Sequence, residues 1–253
     1  MVVIFGIHSV SEALKSGDRS FDYVGVSRER HDQRIQRILD TCRTGGIQIR
    51  FLPREELDRA AKTHTHQGVI AVTSSKQYAD VDVLLQQRKA GQSFIVVLDG
   101  IEDPHNLGAL IRTADAAGAD GVVIPERRAV GLTGTVVKAS AGASEHLPIA
   151  RVTNISRTLE ELKERGLWIV GLDERGTQSY DELDYKMNCA VVLGAEGKGL
   201  HDLVRKRCDF LVSIPMYGRV PSLNVSVAGA IVMYEVARQR RVAHGKETAT
   251  LAR

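Results

Sequence analysis

Phe94-Ile95-Val96-Val97-Leu98-Asp99-Gly100-Ile101-Glu102-Asp103-Pro104-His105-Asn106-Leu107-Gly108-Ala109-Leu110-Ile111-Arg112-Thr113-Ala114 is the stretch on which the fold turns. Its first six residues form an apolar, β-branched run of strand length, the composition of a strand buried on both faces. A polar loop follows. A helix is predicted over Asn106 to Ala117, closed by Gly118 at a natural C-cap position. Val122-Val123-Ile124-Pro125 reads as the next strand, and a strand, helix and strand in that order join parallel neighbours.

Working outward, the pattern repeats toward the C-terminus. Helices are predicted around Thr135 to Ala143 and from Ile155 to Arg165, strands at 168–172, 190–193 and 210–214, and a last helix from Ser222 to Arg240. Such alternation predicts an α/β domain with a mostly parallel sheet covered on both faces. Toward the N-terminus, residues 1–73 read as a small α/β unit. Ser9 to Leu14 starts a helix, and strands are expected at 23–26, 47–51 and 69–72. Between them, Ile35, Ile38 and Leu39 mark a helix closed by Gly45-Gly46. The expected division is therefore a first domain at 1–73, a polar linker at 74–92 holding one helical segment (Val81 to Arg88), a second domain at 93–240, and a frayed tail at 241–253.

The 253 residues are 43% apolar and 26% charged, an ordinary globular balance that excludes disorder, collagen or a disulfide scaffold as a whole-chain description. Cys42, Cys189 and Cys208 are scattered and odd in number, which suits a reducing, cytoplasmic compartment. Met1 to Phe5 lacks the basic start of a secretion signal, and the uncharged stretch Val220 to Tyr234 is too short and too polar for a membrane helix. A soluble protein is expected. Residues 1–76 carry 12 Lys and Arg against 9 Asp and Glu, plus four of the eight histidines, a mild bias compatible with phosphate contact or with an ordinary solvated surface.

Several motifs fail on inspection. In Gly194-Ala195-Glu196-Gly197-Lys198-Gly199 a P-loop would need Gly at Val192 and Ser or Thr at Gly199, and the glycine spacing is wrong for a dinucleotide turn. His64 and His66 are two apart without partners at metal-ligand spacing, so no metal is expected. What remains is three polar loops, each just past a predicted strand: Asp103 to Ala114, the glycine cluster around Glu196, and Pro215 to Ser226. Parallel sheets bind ligands beyond the carboxyl ends of their strands, so the three loops suit one site. Each polar residue also has a plain structural reading. Asn106 suits a helix N-cap, Arg112 faces Asp115 at i+3, Glu196 suits a solvated turn, and Asn224 and Ser226 suit the first turn of the last helix.

Taken together, the three loops resemble the three motifs of the SpoU/TrmH (SPOUT) family of RNA ribose 2′-O-methyltransferases. Gly6 to Leu14 and His66-Gln67-Gly68-Val69-Ile70-Ala71 resemble the small L30e-like RNA-binding domain that precedes the catalytic domain in that family. The resemblance implies a deep trefoil knot in the second domain, a homodimer formed through it, S-adenosylmethionine as methyl donor, and an RNA substrate. It implies Gly194, Ile214, Met216 and Leu223 at the donor, and Asn106, Arg112, Glu196, Ser222 and Asn224 as catalytic residues. Within the family the likeness is greatest to members that methylate a guanosine ribose in 23S rRNA. A tRNA or antibiotic-resistance methyltransferase and a non-catalytic RNA-binding assembly protein are the alternatives. Tyr217, Arg219 and Pro221 are departures in the third motif.

Overall fold

The computed structural model describes residues 1–30, 32–86, 91–197 and 199–243. The chain begins with β1 (Val2–Phe5), α1 (Ile7–Ser16), β2 (Phe21–Ser27), α2 (Gln33–Thr44), β3 (Ile49–Leu52), α3 (Arg54–Ala61) and β4 (Val69–Thr73). Next come α4 (Val81–Gln86), β5 (Phe94–Asp99), α5 (Pro104–Ala116), β6 (Gly121–Pro125), α6 (Gly134–Ala139), a single 3-10 turn (Ala143–Glu145) and β7 (Ile149–Val152). The remaining elements are α7 (Ile155–Glu164), β8 (Trp168–Leu172), β9 (Gln178–Ser179), β10 (Cys189–Gly194), α8 (Asp202–Arg207), β11 (Phe210–Ser213) and α9 (Val225–Ala243).

By internal contacts the chain forms two compact units. One comprises residues 1–78, 103–112 and 130–147, the other residues 79–102, 113–129 and 148–253. The first unit holds a four-stranded sheet in the order β1-β4-β2-β3, with β2 and β3 parallel and the other pairs antiparallel. Its core gathers Ile4, Val10, Val24, Val26, Ile35, Ile38 and Ala71, all at most 2% exposed, so the i, i+3 spacing read in α2 marks its inner face. A bidentate ion pair lies at its base. Arg19 Nε sits 2.8 Å from Glu145 Oε2 and Nη2 sits 2.9 Å from Oε1, with the two side chains 1% and 0% exposed. The same guanidinium donates to the Ser74 carbonyl at 2.8 Å, and Lys76 Nζ donates to the Glu145 carbonyl at 2.6 Å.

The second unit is built on seven strands in the order β7-β6-β5-β10-β8-β11-β9, every neighbouring pair parallel. The parallel α/β class expected from the strand and helix alternation is what the structure shows. Strand β10 enters between β5 and β8, pairing Gly194 with Asp99 at the carboxyl edge. The chain runs from β5 outward to β6 and β7 on one side, while β8 and β11 lie on the other. A crevice outside the carboxyl ends of β5 and β10 is thus the natural ligand position.

Two expectations shift. Residues 79–86 of the expected linker pack into the second unit: Ala79 bridges Ala150, and Leu84 is fully buried beside Gly121, where an added Cβ would lie 2.3 Å from Leu84 Cγ. The polar composition of 74–92 hid one apolar anchor on a short helix. Arg88, in the expected helix of that segment, lies outside the described residues. The last helix begins at Val225, three residues later than expected, and runs to Ala243, past the expected end at 240; the rest of the expected tail, 244–253, lies outside the described residues. It is tied down by Gln239, whose Oε1 accepts from the Tyr185 amide at 2.9 Å. Arg240 donates to the carbonyls of Tyr185, Met187, Gln92 and Ser93 at 2.7 to 3.2 Å.

Candidate active site

Strand β10 ends on Gly194 for a steric reason. A Cβ there would lie 2.2 Å from the carbonyl carbon of Gly199 and 2.4 Å from the amide of Leu200, both backbone atoms that cannot yield. The chain folds back on itself at once: the Gly199 amide donates to the Ala195 carbonyl at 2.9 Å, with Gly197 and Gly199 in the left-handed region at φ 75 and 64. Glu196 stands exposed on this turn.

The turn is fixed from two sides. Asp99, 5% exposed at the end of β5, accepts from the His201 amide at 2.8 Å and lies 2.9 Å from the His201 ring Nδ1, both through Oδ2. Arg205 Nη2 donates to the Leu200 carbonyl at 2.9 Å, while its Nε pairs with Asp173 at 2.9 Å. Asp173 is largely what holds the Arg205 guanidinium above its ordinary pKa. Sequence reasoning missed Asp99, His201 and Arg205. Asp99 closing an apolar strand was the available signal, since a carboxylate at that place needs donors.

After β11, Ile214 is half-buried, while Met216 and Leu223 leave 39% and 36% of their surface exposed. Ser222 is exposed. Asn224 performs two tasks. Its Oδ1 accepts from the Ser226 amide at 2.9 Å and the Ser226 hydroxyl at 2.6 Å, and its carbonyl opens α9 by accepting from Val227 and Ala228. This is an N-cap, so Asn224 precedes the helix instead of lying in its first turn. Its Nδ2 donates to Glu196 Oε1 at 3.3 Å, joining the loops after β10 and β11.

Asn106 and Arg112 both lie on α5, six residues or about 9 Å apart along the axis. Asn106 does not cap this helix. Asp103 does, accepting from the His105 and Asn106 amides at 3.2 and 3.3 Å, with Pro104 in the first helical position. Asn106 is therefore in the first turn and 8% exposed, while Arg112 is exposed. Helix α5 lies so close to α6 that a Cβ on Gly108 would approach the Cβ of Ala139 to 2.4 Å. His64 and His66 share Asp58, at 3.1 and 2.8 Å, a partner the sequence reading did not supply. Among the described residues no group of three His, Cys, Asp or Glu is close enough to hold a metal ion.

A parallel α/β unit whose glycine-bearing loops meet at the carboxyl edge of its sheet defines a ligand-binding fold. Residues 93–234 match the SpoU rRNA Methylase family, and residues 3–79 match the RNA 2′-O ribose methyltransferase substrate-binding family. The chain belongs to the SpoU methylase family. A TrmH family tRNA/rRNA methyltransferase named YacO, from Bacillus subtilis, is 48% identical over 94% of this chain and 95% of its own length. A relative named for the same family in Staphylococcus haemolyticus is 45% identical over 94% and 96%. Among solved structures, the SpoU methyltransferase AviRb from Streptomyces viridochromogenes, in complex with AdoMet, superposes with a TM-score of 0.79 at 26% identity, covering 95% of this chain and 90% of that one. An AdoMet-bound rRNA methyltransferase from Sinorhizobium meliloti gives 0.78 at 25% identity over 94% and 87%.

Proposed function

We propose that this chain transfers a methyl group from S-adenosylmethionine to a ribose 2′-hydroxyl of RNA, with a guanosine of 23S rRNA as acceptor. The observation that carries the reading is the Glu196–Asn224 hydrogen bond, which joins two of the three family motifs into one polar rim beside Gly194. The residues suit the donor. Met216 and Leu223 offer partly exposed apolar surface for an adenine ring, and the Gly194 to Gly199 turn offers backbone groups at close approach. Gly194, Ile214, Met216 and Leu223 hold the donor in this reading. When bound, it supplies a methyl group already activated on a sulfonium, so positioning accounts for much of the acceleration.

The remaining chemistry falls to the chain's own side chains. An arginine keeps its proton at any working pH, so Arg112 serves as the electrostatic partner of the developing 2′-oxyanion, ordered by a substrate phosphate. Asn106, Glu196, Ser222 and Asn224 orient the ribose. Residues 1–73 select the RNA and residues 93–240, on a knotted path, carry the reaction. The partly exposed Val227 and Tyr234 of α9, at 47% and 54%, support a homodimer through that domain. Three free cysteines support a cytoplasmic setting, and no helix among the described residues is long and apolar enough to cross a membrane.

The test is methyl transfer from labelled S-adenosylmethionine to unmodified bacterial rRNA and tRNA, with the product mapped by resistance to alkaline cleavage. One 2′-O-methylguanosine in 23S rRNA is the expected result. The relatives' family name, tRNA/rRNA methyltransferase, keeps tRNA as the second reading. Methylation of tRNA alone would move the target there, and no transfer to either RNA would overturn the activity.

A further inference from the structure

The first unit carries a half-open pocket of about 520 Å³, large enough for one nucleotide, lined along one side by the loop 64–68. Arg30, Arg54, His64 and Lys138 line it, against one carboxylate, Glu29. Two of the cations are held in place by the loop itself. Lys138 Nζ donates to the Thr65 carbonyl at 3.0 Å, and Arg30 donates through Nη1 to the Gln67 carbonyl and through Nε to Asp32 at 2.7 Å. These bonds leave most of the donors of both groups uncommitted.

Glycines make room for both stems. At Gly68, φ 77, a Cβ would lie 2.7 Å from Arg30 Cδ, and at Gly6, φ 93, it would lie 2.6 Å from Lys138 Nζ. Gln67 is left-handed at φ 58, and its side chain is spent accepting from the Ile7 amide at 3.0 Å. His66 is 1% exposed and braces the loop from beneath, with Nε2 2.8 Å from Asp58 and Nδ1 accepting from the Gly68 amide at 3.1 Å. Two positive-φ glycines, a left-handed glutamine and a buried histidine thus maintain a rigid cationic cradle, which is more than a solvated charged face requires.

We infer that this cavity binds one phosphate-bearing nucleotide of single-stranded RNA, seated by Arg30, Arg54 and Lys138. The inference rests on the reading that RNA is the substrate, and adds a docking point for one strand segment within the first unit. A cavity suits an unstacked single-stranded nucleotide, whereas duplex RNA is read on its outside. The site reads the phosphate and is sequence-tolerant, because no Phe, Tyr or Trp lines it to grip a base face, and the His64 ring is engaged by Asp58 at 3.1 Å.

The experiment uses the full chain and a fluorescein-labelled single-stranded oligoribonucleotide, followed by anisotropy across a salt series. Arg54→Gln is expected to weaken binding about tenfold and to reduce the slope of log affinity against log salt by about 0.7. Glu29→Gln is expected to tighten binding about threefold, a gain that misfolding cannot imitate. Lys138→Gln should act like Arg54→Gln, and all three should move KM for RNA more than kcat. Wild-type affinity and slope in Arg54→Gln and Glu29→Gln, with the parent chain binding and methylating RNA, would overturn the cavity while leaving the RNA reading intact. A parent chain that neither binds nor methylates RNA would overturn both.

Discussion

Asn224→Asp separates the two tasks of Asn224. The aspartate keeps the oxygen that accepts from the Ser226 amide and hydroxyl, and Asp and Asn are near-equal N-caps, so α9 should start as before. What changes is the other atom. The Nδ2 donor 3.3 Å from Glu196 becomes an anionic oxygen facing a carboxylate. Two like charges at that separation repel by about 1 kcal/mol in bulk water and by about 5 kcal/mol at an effective dielectric of 20. Both groups are exposed, so the lower figure applies, and the loops after β10 and β11 should part. If their joining is catalytic, turnover at saturating RNA falls about tenfold, and raised salt recovers part of the loss relative to the parent chain. Thermal unfolding supplies the control. Asn224→Ala loses the cap, about 1 kcal/mol, and should lower Tm by about 2–4 °C, whereas Asn224→Asp should stay nearer the parent. Parental turnover in Asn224→Asp at low salt would refute the reasoning and leave Asn224 as a cap alone.

Arg112→Lys keeps a positive charge but loses the planar fork, and turnover should drop at least about tenfold with donor affinity intact; parental turnover would remove the guanidinium from the reaction. Gly194→Ala should abolish S-adenosylmethionine binding in calorimetric titration, because the added methyl meets Gly199 backbone at 2.2 Å; unchanged affinity would take Gly194 out of the donor site. Arg19→Met strands the Glu145 carboxylate at 0% exposure and should cost about 3–5 kcal/mol in denaturant unfolding, most of it regained in Arg19→Met with Glu145→Leu. Burial pushes the thiols of Cys42 and Cys189 up to about 11 and that of Cys208 up to about 12. The folded chain at pH 7.5 should therefore resist iodoacetamide at all three and take it up after denaturation; labelling of the native protein by mass spectrometry would contradict this.

In the second unit β5, β6, β8, β10 and β11 were legible because each is a run of apolar residues between polar loops, and β5, β8 and β10 fall within a residue of their expected bounds, whereas β7 (Ile149–Val152) and the polar pair β9 (Gln178–Ser179) were not foreseen. The shorter elements were not. Strand β1 has four residues, and α3 buries only Leu57, so neither carries enough periodicity to stand out. Strand order was also hidden: β10 lies next to β5 although about ninety residues separate them, and pairing at that distance leaves no local trace. At the site, the loops at the carboxyl edge were visible as glycine-bearing polar segments, and the family resemblance supplied their candidate roles. The supports were invisible, because Asp99–His201 and Arg19–Glu145 join residues 102 and 126 positions apart. Apart from Asp99, whose place at the end of an apolar strand is a signal, each looks in sequence like an ordinary surface charge.

The Arg240 contacts have a consequence for synthesis. Four carbonyls, at Gln92, Ser93, Tyr185 and Met187, flank the entry of the two central strands, and their common donor belongs to the last helix. A nascent chain paused before that helix emerges therefore holds a sheet whose middle is unsealed: the Ser93 carbonyl keeps the Cys189 amide, while those of Gln92, Tyr185 and Met187 lose the guanidinium and stand open to water or to a neighbouring strand. Emergence of the helix that carries Arg240 becomes the event that commits the sheet, and a stop introduced a few codons upstream of Arg240 should yield a product that chaperones and proteases recognise as unfinished.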